Sequence, residues 1–194
     1  ERDDIDLNQF FPLFTKELND QKNKENYIHW ISTKKNVNVK DLKLDNIPFI
    51  DGRELFFLMM NQTLFVNELM LNAIKKLKES KRFKLCALTN NFKDPENLFP
   101  KLPKRLTKHF DFFIESWVIK MRKPDPRIFS YTCDLIKELP KDCLFLDDLN
   151  PNLRAAQKCN LQCIKVSLGN TVKAIKEMES ITGVNLLDND ESRL

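Results

Sequence analysis

The stretch LFLDDLNPN at residues 144–152 decides the fold, because a short apolar run ends there in two carboxylates. A buried parallel strand is typically a continuous apolar run, and its carboxyl end leads into a loop at the edge of the sheet. A second stretch of this kind, LCALTNN at residues 85–91, ends in Thr89 and Asn90. The two stretches predict parallel strands whose loops open at the same edge.

From residue 83 onward, apolar runs alternate with amphipathic segments. This alternation predicts right-handed βαβ units and a parallel sheet that is covered by helices on both faces. The predicted strands cover residues 83–88, 112–115, 144–147 and 163–166. The predicted helices cover residues 67–79, 125–139, 152–160 and 171–182, and the last of them ends at Gly183.

Residues 1–64 follow a different pattern, with aromatic-rich segments such as FFPLF and ELFFLMM and no clear strand. Apolar residues recur there at the spacing of amphipathic helices. The sequence therefore predicts three parts: a helical region at residues 1–64, an α/β core at residues 65–187 and a polar tail at residues 188–194.

The composition argues against a nucleic-acid-binding protein and against a membrane-spanning one. Although the net charge is +4, the 32 basic residues are interleaved with 28 acidic ones, which is typical of a solvated surface and argues against nucleic-acid binding. No apolar run is long enough to span a membrane.

The cysteines predict free thiols in a reducing intracellular compartment. They form no CxxC motif and have no neighbouring histidine pair, which argues against disulfides and a zinc site. The compartment would be the cytoplasm, or a mitochondrion for a chain whose presequence has been removed. Three of the five lie in apolar, strand-like runs and are expected to be buried, namely Cys86, Cys143 and Cys163.

Three predicted loops bring complementary polar groups to one edge of the sheet. Thr89 and Asn90 end one strand, Asp147 and Asp148 end another, and Lys123 follows a third. A hydroxyl and an amide donate to phosphoryl oxygens, an ammonium offsets negative charge, and carboxylates are ligands that Mg²⁺ prefers. Taken singly, each has a simpler explanation, such as a turn, a helix cap or an exposed loop lysine. Together they predict a site for a phosphate and a divalent cation.

The sequence resembles the haloacid dehalogenase-like (HAD) hydrolase superfamily in three motifs that occur in the same order along the chain. These are the strand-ending Thr89, the Lys123–Pro124 loop and the Asp147–Asp148 pair. The similarity is closest to the branch that contains the N-terminal phosphatase domain of soluble epoxide hydrolase. It implies an α/β fold with a HAD-like Rossmannoid parallel sheet flanked by helices, in which residues 1–64 form a small α-helical cap.

The resemblance implies Mg²⁺-dependent hydrolysis of a small phosphorylated metabolite. It also implies a role for each motif residue. Thr89 and Asn90 would bind the phosphoryl group, Lys123 would act with Thr89 in catalysis and stabilise charge, Asp148 helped by Asp147 would hold Mg²⁺, and Asn152 would order the loop.

The family's first motif, an Asp-x-Asp that supplies the nucleophile and the general acid/base, does not occur after a strand in this sequence. Asp3, Asp4 and Asp6 have no strand before them and match the cap. In the family, the first strand lies between the strands that here end at Thr89 and Asp147. We therefore expect residues upstream of the sequence, or another segment or chain, to fill that place.

Without a nucleophile, the alternative is a catalytically inactive HAD-fold protein that binds a protein partner as a binding or assembly subunit. Two further positions depart from the family. Lys120 stands where the family has a small residue, and Asn160 replaces a usual glycine but can still adopt the left-handed conformation.

Overall fold

The computed structural model describes residues 4–35 and 43–188, which form two compact units. The helical unit comprises Ile5–Leu64 and Asp94–Pro100, and the α/β unit comprises Phe65–Lys93 and the described chain from Lys101 onward. Asp3 and most of the predicted polar tail lie outside the described residues.

The α/β unit alternates helices and parallel strands, as predicted. Strand β1 (Cys86–Thr89) pairs in parallel with β2 (Phe112–Glu115), and β3 (Leu144–Asp147) pairs in parallel with β4 (Gln162–Lys165). The helices of this unit are α4 (Glu68–Glu79), α5 (Lys104–Thr107), α6 (Ser116–Ile119), α7 (Pro126–Ile136), α8 (Asn150–Lys158) and α9 (Thr171–Thr182).

Most predicted boundaries lie within one to three residues of the observed ones. Strands β2 and β3 and helix α9 have the predicted bounds, and α9 ends at Gly183 with φ +64°. Helix α7 ends three residues early, because Lys137 adopts the left-handed conformation that terminates an α-helix. Asn160 adopts φ +65°, which confirms that asparagine replaces glycine there without leaving the left-handed region.

The strands form two two-stranded sheets within the described residues, rather than one continuous sheet. Leu88 of β1 and Phe145 of β3 pack against one apolar cluster, while Leu85 and Leu146 pack against another. Residues in or next to β1 and in β3 therefore pack against the same two clusters. Within the part of the chain described, no backbone hydrogen bond joins these two strands.

The helical unit contains α1 (Leu7–Leu18), α2 (Gln21–Lys35) and α3 (Gly52–Gln62). Asp6 caps α1: its Oδ1 accepts from the backbone N of Gln9, whose side chain accepts in return from the backbone N of Asp6. Asp6 therefore has a structural role. The interior of the unit is aromatic and consists of Phe10, Phe11, Phe14, Phe56, Phe57 and Phe99.

Gly52 allows α1 and the start of α3 to touch. Its backbone N donates to Thr15 Oγ1 at 2.9 Å, and an added Cβ would lie 2.7 Å from the backbone N of Thr15. We expect Gly52→Ala to lower the free energy of unfolding of the helical unit by about 1–3 kcal/mol through overpacking. Hydrogen exchange of the α1 and α3 amides measures the effect.

The control for this prediction is Gly183→Asn, which places a side chain in open space at a left-handed position that asparagine tolerates. Exchange of the α1 and α3 amides should be unchanged in that variant. Unchanged exchange in Gly52→Ala as well would contradict the close approach.

Candidate functional site

Asn90 joins the loop after β1 to the loop before α7. Its Nδ2 donates to the carbonyl oxygen of Lys123 at 2.9 Å, and the backbone N of Lys123 donates to Asn90 Oδ1 at 2.9 Å. The amide thus clamps the backbone of Lys123 on both sides. This leaves the second Nδ2 hydrogen and the backbone N–H of Asn90 for the predicted phosphate contact.

The Lys123 ammonium lies beside the end of β3. Its Nζ is 2.9 Å from Asp147 Oδ2, and the two side chains are only 12% and 5% exposed. The same Nζ lies 5.5 Å from the centre of the Phe145 ring. The structure therefore brings together Lys123 and Asp147, two predicted site residues that are 24 positions apart.

Asp147 is surrounded by hydrogen-bond donors. Its Oδ1 accepts from the backbone N of Leu149 at 2.8 Å, and Asn152 Nδ2 lies 3.0 and 3.1 Å from its two oxygens. Because Lys123 Nζ also donates to Oδ2, both carboxylate oxygens of Asp147 accept hydrogen bonds from protein groups. Asn152 is itself buried, and its side-chain amide contacts the carboxylate of Asp147.

Asp148 differs from its neighbour, since its side chain is exposed and has no hydrogen bond or ion pair within the described residues. Thr89 ends β1 half-buried, opposite Glu115 in the strand register. No group of three potential metal-binding side chains occurs in the described part of the chain. Among the carboxylates at this edge, Asp147 and Glu115 accept hydrogen bonds from neighbouring side chains, whereas Asp148 accepts none within the described residues.

Sequence reasoning missed a second network at this edge. The backbone N of Asn91 donates to Ser116 Oγ at 3.0 Å, Ser116 Oγ donates to the Asn91 carbonyl at 2.9 Å, and Asn91 Nδ2 donates to Glu115 Oε1 at 2.5 Å. These bonds hold the loop that follows Thr89 against the end of β2. The signal was present in the sequence, since Glu115 ends the predicted strand at residues 112–115 and Ser116 follows it directly.

Lys120 lies between β2 and Lys123 in the left-handed conformation, with φ +57°. L-residues with a Cβ disfavour this conformation by roughly 1–2 kcal/mol. This backbone requirement gives a physical reason for the small residue that the family resemblance leads us to expect there.

The cysteines are free thiols in the described residues. The prediction that Cys86, Cys143 and Cys163 are buried was wrong in degree: all three are partly buried, whereas Cys133 is buried. Burial, with a smaller contribution from Cys143, raises the pKa of Cys86 to about 11.

We expect Cys86 to be alkylated slowly near neutral pH. Below a pKa of about 11 the thiol is protonated, and the reactive thiolate fraction rises about tenfold for each unit of pH. Mass spectrometry after iodoacetamide treatment at several pH values measures the rate, with free glutathione as control. A rate for Cys86 equal to that of glutathione near neutral pH would contradict the raised pKa.

A family model for haloacid dehalogenase-like hydrolases matches residues 12–160. This match includes β1 to β3, α8 and every predicted site residue. The chain belongs to the haloacid dehalogenase-like hydrolase family. The predicted family and its α/β fold are thereby confirmed.

Two curated proteins illustrate the similarity of this HAD-like chain to larger proteins. It is 36% identical over 121 residues to bifunctional epoxide hydrolase 2 of Rattus norvegicus, a match that covers 61% of the chain and 21% of the relative. It is also 36% identical over 119 residues to acyl-CoA dehydrogenase family member 10 of Mus musculus, covering 60% of the chain and 10% of the relative. The HAD-like chain thus matches about a fifth or less of the length of these relatives.

A solved structure supports the fold alone. The crystal structure of a dehalogenase with an intermediate complex superimposes with a TM-score of 0.54 at 16% identity, over 89% of this chain and 81% of that chain. Among the helices described for the HAD-like chain, none has the length and apolar character needed to cross a membrane.

Proposed function

We propose that this HAD-like chain belongs to a Mg²⁺-dependent phosphatase that acts on a small phosphorylated metabolite. The observation that carries the proposal is the buried Lys123–Asp147 pair. Together with the Asn90 clamp, it holds an ammonium at an edge where three loops meet. A rigid positive charge at such an edge suits a phosphoryl group that gains negative charge during transfer.

Each polar group has a distinct task in this proposal. The Thr89 hydroxyl and the backbone N–H of Asn90 donate to phosphoryl oxygens, and Lys123 offsets their charge. Asp147 holds the ammonium in position through its contact at 2.9 Å. Asn152 and the backbone of Leu149 keep the Asp147 carboxylate in place.

Asp148 is the residue that fits a metal ion. Its carboxylate is exposed at the end of β3, whereas the oxygens of Asp147 already accept from an ammonium, an amide and a backbone N–H. Bound Mg²⁺ would draw negative charge from the phosphoryl oxygens. The remaining ligands would come from outside the described residues.

The nucleophile belongs, in this proposal, to a strand that lies between β1 and β3 and ends in Asp-x-Asp. The first Asp would attack the phosphorus and displace the substrate alcohol, which the second Asp would protonate, and water would then hydrolyse the aspartyl-phosphate to inorganic phosphate. The support is the division of the strands into two pairs that share apolar clusters but no backbone hydrogen bond across β1 and β3 in the described part. An added strand would satisfy the backbone groups of both edges.

The test is phosphate release from a generic aryl phosphate by protein that carries its native upstream segment. We expect turnover with Mg²⁺ and its loss on chelation, with recovery when Mg²⁺ is restored. Turnover that is indifferent to chelation, or no turnover by a protein whose upstream segment supplies the Asp-x-Asp strand, would contradict the proposal.

The absence of an Asp-x-Asp strand from the sequence also supports a second candidate, a catalytically inactive HAD-fold protein that acts as a binding or assembly subunit. The encoded sequence upstream of residue 1 separates the candidates. An apolar strand ending in Asp-x-Asp supports the phosphatase, and a strand that lacks the first Asp supports the binding subunit.

A further inference from the structure

The helical unit contains a cleft of about 880 Å³ that the phosphoryl site does not use. One wall is the C-terminal half of α1, which is fastened to the start of α3. Asn19 Nδ2 donates to the carbonyl of Ile50 at 2.8 Å, and Thr15 Oγ1 accepts from Gly52. Binding sites for small molecules commonly have volumes of about 300–1,000 Å³, so this cleft has the size of a ligand site.

The opposite wall is the segment Asp94–Pro100, which is anchored rather than loose. The backbone N–H groups of Leu98 and Phe99 donate to the Asp94 carboxylate at 2.9 and 3.0 Å. The Phe99 ring lies 4.7 Å from the Phe57 ring inside the helical unit. Leu98 therefore lines a preformed cleft.

Arg53 supplies a cation in a prepared orientation. Its guanidinium lies over the rings of Phe11 and Phe57, at 5.8 and 5.5 Å from their centres. Stacking on aromatic rings uses the faces of the guanidinium and leaves its N–H donors in the plane for a carboxylate or phosphate. Within the described residues Arg53 has no ion pair, so those donors have no anionic partner there.

The remaining lining residues combine charged and apolar groups. Lys16 adds a second cation, and Phe49, a residue that is 70% exposed, adds an aromatic ring. Two lining carboxylates, Asp20 and Asp51, cap the N-termini of α2 and α3, where the helix dipoles offset their charge. A third carboxylate, Glu96, has no such contact within the described residues, so three carboxylates line the cleft with two cations, and two of the three are already engaged by helix N-termini.

We propose that this cleft binds a small organic anion with an aromatic or apolar body. Arg53, assisted by Lys16, holds its carboxylate or phosphate, and Phe49 covers its apolar part. The cleft shares no lining residue with the proposed phosphoryl site, and the inference does not depend on the proposed phosphatase activity.

Naphthoate and its neutral analogue naphthamide are suitable probes, because they share a ring system and differ in charge. Ligand-observed NMR titration of the full chain measures both affinities without any enzymatic readout. We expect naphthoate to bind at least about tenfold more tightly than naphthamide. Arg53→Gln should weaken naphthoate binding about tenfold and leave naphthamide unchanged, and Phe49→Ala should weaken both.

The matched control is Arg82→Gln, since Arg82 stacks on the Phe83 ring at 5.2 Å in the α/β unit but does not line the cleft. That variant should bind both probes like the parent protein. The proposal is overturned by equal affinity for the two probes, by no detectable binding at millimolar concentration, or by equal losses in Arg53→Gln and Arg82→Gln.

Discussion

Asp147→Ala is expected to lower the free energy of unfolding by about 3–5 kcal/mol, the usual cost of removing one partner of a buried ion pair. The Lys123 side chain is only 12% exposed, and its ammonium would lose the carboxylate at 2.9 Å. Asn152 Nδ2 and the backbone N–H of Leu149 would lose their acceptor as well. A buried cation and two donors would then remain without partners.

Urea unfolding followed by the fluorescence of Trp117, which lies in the α/β unit, measures this change. Asp148→Ala is the control, because that neighbouring carboxylate is exposed and has no partner within the described residues. It should change the free energy of unfolding by less than about 0.5 kcal/mol. Equal effects of the two substitutions would show that the Lys123 contact contributes nothing to stability.

Asp148→Asn is expected to lower phosphate release by about 10²–10³, the range found when one preorganised electrostatic group is removed from an active site. The prediction rests on the proposed function and applies to protein with its native upstream segment. Asparagine keeps the shape of the side chain but removes the negative charge that attracts Mg²⁺. The free energy of unfolding should stay within about 0.5 kcal/mol of the parent value.

Steady-state rates at increasing Mg²⁺ concentrations are the measurement. If Asp148 binds the metal, Asp148→Asn should need more Mg²⁺ to reach half-maximal rate. Asp134→Asn, an exposed carboxylate on α7, is the control and should follow the parent curve. An unchanged rate and Mg²⁺ dependence in Asp148→Asn would exclude it as a ligand.

For Asp147 and Asp148, the sequence predicted the position in the fold but not the different surroundings of the two side chains. Their position at the end of an apolar run predicted that both lie at the carboxyl edge of the sheet, and both do. The sequence predicted the same role, Mg²⁺ binding, for both aspartates. Two adjacent aspartates look alike in a sequence, and only the directions of their side chains distinguish them. Strand alternation turns Asp147 inward to Lys123 and Asp148 outward to solvent.

Sequence alone also determined the order of the elements, the parallel strand pairing and the position of α9, because hydrophobic periodicity and helix caps are local properties of the chain. The α9 prediction succeeded to the residue, since its apolar spacing and Gly183 mark the same end. The left-handed conformation of Asn160 was expected from the family resemblance, which places a glycine at this position, and the structure has it at φ +65°.

Only the tertiary structure decided which distant groups meet. Asn90 bonds the backbone of Lys123, 33 positions away, and Asp94–Pro100 packs with helices that precede it by more than thirty residues. The division of the strands into two pairs, and the two apolar clusters that both pairs contact, are likewise seen only in the structure. Such contacts depend on how loops and helices pack after the chain has folded back on itself, and no periodicity along the sequence encodes them.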